Sequence, residues 1–191
     1  MNTNENENSS HEEKNTWVSL GKDFLSVIVF LIIFMGLSKM VFGLWTPMVV
    51  VESGSMEPHM QIGDIIFVKS IDRVNVITNE EGEKSGYKSF QNYGDVILYR
   101  PYGLEGVTPI IHRAMYRVEA GEPMWGGGPS APYSGYITKG DNAVTNKRFD
   151  QEGQISYDMP IKDQWIIGTA QYRLPYLGYV KLFFHKIATS I

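Results

Sequence analysis

Two serines lie at a sharp bend directly after an apolar run, in the stretch VVVESGSMEPHM at residues 49–60. Gly54 permits backbone angles that a side chain would forbid, and Pro58 restricts the chain where it leaves the bend. A serine on such a bend belongs either to an ordinary surface turn or to a catalytic site that a substrate can reach. A nucleophilic serine needs a base, because its hydroxyl is hardly ionised at neutral pH. The other residues must distinguish the two interpretations.

The chain has four histidines that could serve as this base. His11 lies in a polar N-terminal stretch, and His185 lies in an apolar C-terminal one. His59 follows Pro58 in the bend itself, where we expect its side chain to point away from the serines. His112 lies in the apolar run IIHRAM, which is typical either of a hydrogen-bonded core histidine or of a general base.

Two aspartates downstream are candidates to orient an imidazole. Asp141 lies in the tight-turn tripeptide GDN at residues 140–142, and Asp150 follows a short polar stretch. A carboxylate beside the imidazole holds it in the right tautomer and stabilises its cation. Aspartate in a turn also commonly bonds its own backbone, and a loop carboxylate is often simply solvated. The residue types alone therefore leave both aspartates open as partners of His112.

Composition argues against several other kinds of site. The chain has no cysteine, which excludes disulfides, thiolate zinc sites and cysteine nucleophiles. No H-E-x-x-H pattern or comparable pairing of histidine and carboxylate indicates a metal centre. The formal net charge of −4 does not suggest a nucleic-acid partner, which would favour a basic face. We therefore expect a site without a metal or a cofactor.

An apolar segment of membrane-spanning length precedes the serine bend. Residues 24–45 read FLSVIVFLIIFMGLSKMVFGLW, and about twenty apolar residues cross a bilayer as a helix. Lys39 lies near the far end, where its side chain can reach the headgroups, and Trp17 and Trp45 bracket the segment as interfacial aromatics do. The segment is too long for a cleaved signal sequence, and no small-x-small site follows it. Residues 23–45 are predicted to form one transmembrane anchor helix.

Residues 1–22 are predicted to form a disordered tail on the cytoplasmic side. Residues 1–16 are rich in Asn and Glu and lack apolar periodicity, so they cannot bury enough surface to order themselves. Lys14 and Lys22 lie on this side of the anchor, and the positive-inside rule then favours a cytoplasmic N-terminus. The expected protein is a single-pass protein of the cell membrane with its later residues on the extracytoplasmic face.

After the anchor the pattern changes to short β-rich runs that Gly, Pro or Asp bound. These runs are DIIFVKSI (64–71), DVILYRP (95–101), PIIHRAMYRV (109–118), GYITKGD (135–141) and QWIIGTAQYRL (164–174). Helical patterning is absent over residues 46–172. The predicted fold class is mainly β: a twisted, mostly antiparallel sheet over residues 46–176, tethered by the single N-terminal transmembrane helix.

The last residues, 177–191, form an apolar and aromatic segment that also carries Lys181, His185 and Lys186. These basic groups make it a poor membrane span. It is expected either to lie at the membrane interface as an amphipathic segment or to form a final core element.

The motifs, taken in order, resemble those of a known protease family. The chain carries SGSMEP, GDIIFV, GDVILYR, IIHR and TKGDN, and it ends with IIGTAQYRLPYLGYV before the last segment. Each motif alone is ordinary, but five in this order behind an N-terminal anchor resemble the type I signal peptidases, over residues 48–180. Because no lysine stands at the base position, the chain is similar to the Ser-His-Asp branch, found in archaea and as the catalytic subunit of the endoplasmic reticulum enzyme.

This resemblance implies a role for each candidate residue. Ser55 would be the nucleophile, His112 would be its general base, and Ser53 would support the oxyanion together with the Ser55 backbone N–H. Asp141 and Asp150 match the two acidic positions of the last motif. Asp150 is the favoured partner of His112, and Asp141 is expected to have a structural or assisting role. The stretch NAVTNKRF between them is longer than the family pattern.

The resemblance also implies a function. The chain is expected to be a membrane-bound serine endopeptidase that removes N-terminal signal peptides from secreted and membrane preproteins, cutting after small residues. Its expected partners are the preprotein signal peptides, the lipid bilayer and the protein translocation machinery. The lack of cysteine and the archaeal-looking loops favour a prokaryotic setting.

Two alternatives stay open beside this function. A non-catalytic, membrane-tethered β-module for peptide binding or assembly would explain the anchor and the bend, although not the ordered His and Asp motifs. A self-cleaving protease of the LexA-like type shares the implied fold, but those proteases use a lysine base. His112 and the membrane helix both argue against it.

Overall fold

The computed structural model describes the backbone of residues 4–179 and the side chains of residues 17–179. Over that range the chain forms a long N-terminal helix and then a β-rich domain, so the predicted mainly β fold class is confirmed. The helices are α1 (Asn4–Phe42) and α2 (Asn79–Ser85), and the strands are β1 (Met48–Val50), β2 (Ile65–Ser70), β3 (Lys88–Ser89), β4 (Asn92–Tyr93), β5 (Val96–Tyr99), β6 (Ile110–Val118), β7 (Gly135–Lys139) and β8 (Ile166–Leu174).

The helix α1 contains a stretch, Trp17–Phe42, that is long and apolar enough to cross a membrane. Only 6% of its most apolar window is buried inside the protein. A core helix of a soluble domain would instead cover one apolar face and show a polar one to water. A helix that is apolar all round and uncovered suits the interior of a bilayer, and it suggests the membrane anchor that the sequence predicts.

The helix begins earlier than the sequence predicts. Its first residue is Asn4, so the backbone of residues 4–22 is helical where a disordered tail is expected. No proline interrupts α1, and a helix that has already formed gains one hydrogen bond with each residue that it adds. The apolar segment can therefore extend the helix into polar residues that would not form one alone. Residues 1–3 and 180–191 lie outside the described residues, so the predicted role of the C-terminal segment 177–191 stays a prediction.

Six strands form one antiparallel sheet in the order β1-β2-β8-β5-β6-β7, and β3 and β4 form a separate hairpin. In the centre of the sheet, Ile97 on β5 pairs with His112 on β6, and Ala114 on β6 pairs with Thr138 on β7. The two edges of the large sheet are β1 and β7. The strand β6, which carries His112, thus lies between β5 and β7, and side chains of these two strands can surround the imidazole.

One helix in the β-domain contradicts the prediction that helical patterning is absent over residues 46–172. The helix α2 has seven residues, too few for an apolar periodicity to show. Its ends are specified locally instead. The Thr78 hydroxyl accepts from the Glu81 N–H while the Glu81 carboxylate accepts from the Thr78 N–H, and Gly86 ends the helix at a φ of 78°.

The end of α1 is attached to the sheet. The Arg73 guanidinium donates to the backbone carbonyl oxygens of Lys39 and Met40, in the last turn of the helix. Such carbonyls have no partner within a helix, so an external donor satisfies them. The rings of Phe42 and Phe67 stack with centroids 5.7 Å apart. These contacts fix where the β-domain stands relative to the anchor.

Candidate active site

The serine bend is held by its own apolar side chains. It follows β1 and contains a 3₁₀ turn at Gly54–Met56. The side chains of Met56 and Met60 are fully buried in the core beside β2 and β5. The backbone N–H groups of His59 and Met60 both donate to the Met56 carbonyl at 3.0 Å. The bend is therefore held by the buried side chains of Met56 and Met60, on either side of Pro58, and these keep Ser55 in place at the surface.

Ser55, His112 and Asp150 form a continuous chain of hydrogen bonds. The Ser55 Oγ lies 2.9 Å from His112 Nε2, and His112 Nδ1 lies 2.7 Å from an Asp150 carboxylate oxygen. His112 is 2% exposed and Asp150 is 3% exposed, so water does not compete for the bond between them. An ionised carboxylate only accepts, which places the ring proton on Nδ1 and leaves Nε2 to accept the proton of the serine.

Three donors surround one oxygen of the Asp150 carboxylate. Besides His112, the hydroxyls of Tyr99 and Thr138 donate to it at 2.9 and 2.7 Å. Burial alone would raise the pKa of Asp150, but the hydrogen bonds and the nearby His112 outweigh it and hold that pKa below its usual value. Burial raises the pKa of Tyr99 well above its usual value, so its phenol stays a donor.

Asp141 lies elsewhere and has a different partner. Its two carboxylate oxygens accept from Nε and Nη2 of Arg113 at 2.8 and 2.6 Å, and one of them also contacts His59 Nδ1 at 2.7 Å. The Arg113 side chain is fully buried, and its Nη1 donates to backbone carbonyls of the β3–β4 hairpin and of Gly94. The structure thus places Asp141 as the counterion of a buried arginine and not beside His112.

Asn142, which follows Asp141 in the sequence, holds the serine bend in place through two hydrogen bonds. Its backbone N–H donates to the Ser55 carbonyl at 2.9 Å, and its side-chain amide donates to the Gly54 carbonyl at 2.8 Å. These two bonds fix the peptide groups on either side of the Ser55 Cα. The GDN turn therefore has two structural contacts: Asn142 positions the serine bend, and the Asp141 carboxylate neutralises Arg113.

Ser53 lies next to Ser55, with the two hydroxyl oxygens 3.3 Å apart. Either hydroxyl can donate to the other at this distance. Ser53 is exposed and lines the same cleft as Ser55, and its role as an oxyanion donor stays a prediction.

A cleft of about 510 Å³ runs beside Ser55 and His112. One wall consists of residues 48–53, on and after β1, and the facing wall consists of residues 108–111, at the start of β6. Both walls offer strand edges: β1 pairs with β2 alone among the described strands, and β7 joins β6 from Arg113 onward. An extended peptide can add to such edges through backbone hydrogen bonds.

Four residues of this site are missed by reasoning from residue types. Tyr99 and Thr138 are ordinary β-strand residues, and Arg113 and Asn142 stand beside motif residues that draw more attention. Arg113 does carry a signal, because a charged residue within an apolar strand is rarely buried without a partner. Its bond to Asp141 could therefore have been anticipated, whereas the contacts of Tyr99 and Thr138 depend on strand register.

No protein-family model matches the chain. The signal peptidase complex catalytic subunit SEC11 of Lodderomyces elongisporus is 33% identical over 145 residues, which cover 75% of this chain and 69% of that relative. The chain belongs to the signal peptidase family. The SEC11 subunit of Eremothecium gossypii is 33% identical over 139 residues, 72% of this chain and 65% of the relative. That of Sclerotinia sclerotiorum is 31% identical over 137 residues, 72% of this chain and 63% of the relative.

Family membership supports an enzyme, a serine endopeptidase of the signal peptidase type, over a non-catalytic β-module. The relatives named above are fungal subunits of a complex, so an archaeal type and a prokaryotic setting stay predictions. The chain spans 63 to 69% of the length of these signal peptidase subunits.

Proposed function

We propose that this protein cleaves N-terminal signal peptides from secreted and membrane preproteins, with Ser55 as nucleophile and His112 as general base. The observation that carries the proposal is the hydrogen-bonded chain from Ser55 through His112 to Asp150 at the wall of a cleft whose strand edges pair with no further strand among residues 4–179. A surface turn without a catalytic role would need neither a buried imidazole nor a buried carboxylate behind it.

The proposed reaction has two steps. The Ser55 oxygen attacks the carbonyl carbon of the scissile peptide bond while His112 Nε2 takes the hydroxyl proton. The tetrahedral intermediate collapses as His112 gives that proton to the leaving amine, which departs with the mature chain. Water then attacks the acyl-enzyme, with His112 first taking its proton and then returning one to Ser55 as the signal peptide leaves. Asp150 stabilises the imidazolium in both steps without itself taking the proton.

The negative charge that develops on the carbonyl oxygen needs donors. We assign this role to the Ser55 backbone N–H and the Ser53 hydroxyl, which lies 3.3 Å from the Ser55 hydroxyl. A donor of this kind contributes about 3 kcal/mol to the transition state. Asn142 supports the arrangement because it fixes the peptide groups around Ser55.

The substrate is proposed to bind as an extended strand between β1 and the start of β6. Strand addition supplies backbone hydrogen bonds, and shallow pockets select small side chains at the first and third positions before the cut. The apolar residues Val51, Leu98 and Ile111 line this cleft, and they suit short apolar side chains.

The protein is proposed to act at the cell membrane, with the N-terminus in the cytoplasm and the β-domain on the extracytoplasmic face. The anchor confines the enzyme and the scissile bond to one membrane surface, which favours their encounter. The proposed partners are the signal segments of preproteins, the lipid bilayer and the translocation machinery that delivers the substrate.

The experiment compares the full chain in detergent with its Ser55→Ala variant on a preprotein that carries a small-x-small site. Ser85→Ala, which changes an exposed serine at the end of α2, is the matched control. We expect Ser55→Ala to lower kcat by at least about 10³-fold and the control to leave it unchanged. The cut position is read by mass spectrometry. Full activity of Ser55→Ala would show that another residue is the nucleophile, and absence of cleavage by the unaltered chain would reject the proposed function.

A further inference from the structure

A second cavity adjoins the cleft beyond the catalytic residues. It measures about 470 Å³ and is lined by residues 144–150 and 153–155. Asn146 and Ile155 line both spaces, so the second cavity continues the first. Its volume lies in the range of sites that hold small ligands or a few side chains. Most of its wall comes from the stretch between Asp141 and Asp150 that is longer than the family pattern.

The direction in which the substrate chain runs along the cleft determines which substrate residues would reach this second cavity. The anchor ends at Phe42, and β1 begins at Met48, so the β1 end of the cleft is nearest the membrane. Under the proposed function, on which this inference rests, the signal segment is held in that membrane. The residues before the cut then lie along β1. The residues after the cut continue past Ser55 toward residues 144–155.

The exposed charged side chains that line this second cavity are both basic. Lys147 and Arg148 line it and are exposed, and neither forms an ion pair with an acidic side chain among residues 17–179. The one carboxylate in its lining, Asp150, is buried and paired with His112. The carboxylate of Glu152 accepts from the Phe149 backbone N–H nearby.

A third basic group, on Lys139, contacts the loop that carries Lys147 and Arg148. The Lys139 ammonium donates to the Lys147 carbonyl at 3.4 Å and lies over the Phe149 ring at 5.7 Å. Its position stabilises the loop and adds positive charge behind it. The wall beyond the scissile bond is therefore positive, although the whole chain carries a net charge of −4.

We infer that residues 144–155 form a binding subsite for the first residues of the mature chain and that this subsite favours acidic side chains there. An aspartate or glutamate shortly after the cut lies within reach of Lys147 and Arg148. A basic side chain at the same place meets like charge. The enzyme would thus select acidic side chains after the cut in addition to small side chains before it.

The inference predicts a charge preference that salt weakens. Three peptide substrates share one signal segment and one small-x-small site and carry Asp, Asn or Lys at the second to fourth positions after the cut. The kcat/KM values of the full chain in neutral detergent are expected to fall in the order Asp, Asn, Lys. Each exposed charge contact should change kcat/KM by about two- to fivefold. Raising salt from about 0.05 M to about 0.5 M should reduce the differences.

Charge reversal tests which residues carry the preference. The double variant Lys147→Glu, Arg148→Glu is expected to prefer the Lys peptide over the Asp peptide. The control is Lys88→Glu, which reverses one exposed lysine on the β3–β4 hairpin outside both cavities and changes the net charge by −2, against −4 for the double variant. The control should keep the order of the unaltered chain, because the change in net charge alone does not act at the subsite.

The outcomes separate this inference from the proposed function. Cleavage of the three peptides at equal rates shows an active peptidase without the subsite and overturns the inference alone. The same conclusion follows if Lys88→Glu changes the preference as much as the double variant, since the effect is then one of net charge. If the Asn peptide is not cleaved at all, the proposed function fails and the inference falls with it.

Discussion

Asp141 and Asp150 are nine positions apart, and each contacts a different basic side chain. Asp150 lies against His112 with a 2.7 Å contact, and Asp141 forms a two-point contact with the buried guanidinium of Arg113. An imidazole beside a serine changes its charge during a proton transfer, whereas a guanidinium keeps its charge at any ordinary pH. At the residue scale, we therefore propose that Asp150 acts in the reaction and that Asp141 stabilises the site.

Asp150→Asn should lower activity far more than stability. An amide in place of the carboxylate favours the wrong tautomer of His112 and no longer stabilises its cation, so kcat should fall about 10³- to 10⁴-fold. The measurement is kcat on a signal peptide substrate together with the thermal unfolding midpoint. Activity of Asp150→Asn within tenfold of the unaltered chain would remove Asp150 from the proposed mechanism.

Asp141→Asn should instead lower stability. It leaves the fully buried Arg113 without its counterion, and breaking a buried ion pair from one side costs about 3 to 5 kcal/mol of unfolding free energy. Denaturant unfolding of this variant and of Asp150→Asn in the same detergent checks the contrast. Equal stability of Asp141→Asn and the unaltered chain, with activity lost, would show that Asp141 acts in the reaction.

Thr138→Val tests the hydrogen bond that Thr138 donates to Asp150. The folded protein holds the pKa of Asp150 below its usual value, so the ionised form is stabilised by folding. That contribution is complete above about pH 4, near the unfolded pKa, and is lost as the pH falls through the folded pKa. The variant should lose about 1 to 2 kcal/mol at pH 7, and its difference from the unaltered chain should shrink as the pH falls through the folded pKa of Asp150.

Denaturant unfolding at several pH values measures this difference. Other carboxylates titrate in both proteins and cancel in the comparison. A variant as stable as the unaltered chain at pH 7 would mean that the Thr138 hydroxyl does not stabilise the ionised Asp150.

At the scale of elements, the GDN turn and the serine bend pack closely enough to act as one unit. A Cβ on Gly140 would lie 2.5 Å from the Ser55 carbonyl oxygen and 2.6 Å from the Asn146 side chain. The turn follows β7, and the bend follows β1, which are the two opposite edges of the sheet. The site is thus assembled where the two edge regions meet in space.

Gly140→Ala should displace the bend that carries Ser55. The backbone carbonyl of Ser55 cannot move away without moving its hydroxyl, so kcat should fall about 10²-fold while KM changes little. Gly126→Ala is the matched control, because a Cβ there meets nothing within 4 Å and the backbone needs no positive φ. Steady-state kinetics of the two variants give the comparison. Unchanged kcat in Gly140→Ala would show that the bend tolerates this shift.

At the scale of the whole molecule, one apolar helix and one sheet are joined by few but specific contacts. The Trp17–Phe42 stretch is largely uncovered, and Arg73 holds the end of α1 against the β-domain. A helix that the protein itself does not cover needs another apolar environment. The contacts of Arg73 hold the β-domain, and with it the cleft, at the end of α1.

The full chain should remain in the membrane pellet after washing with high salt and alkaline carbonate. Burial of the apolar helix in lipid does not depend on surface charge, so neither wash should release the protein. Protease protection of sealed vesicles then reports which side carries the β-domain. Release by carbonate would show that α1 lies on the membrane and does not span it.

Much of this protein follows from local sequence. The length and uniform apolarity of residues 24–45 predict the anchor, and the alternating runs predict five strands within a few residues of their ends. The resemblance to the type I signal peptidases, which the ordered motifs carry, favours Ser55 over Ser53 as the nucleophile and His112 over the other histidines as the base. The anchor and the strands depend on residue type and near neighbours, and a sequence displays both. The helical N-terminal residues and α2 were not predicted, because a continuing helix and local capping leave no apolar period.

Only the tertiary structure shows which of the site residues contact one another. Ser55 and His112 are 57 positions apart, and His112 and Asp150 are 38 apart, so their contacts depend on how the strands pair. The register of β5, β6 and β7 brings Tyr99, His112 and Thr138 around one carboxylate, and a slip by one residue would turn these side chains to the other face. Residue types alone left both aspartates open as partners of His112, and only the family resemblance favoured Asp150. Strand register and burial, which are properties of the folded chain, place Asp150 at the histidine and Asp141 at the arginine.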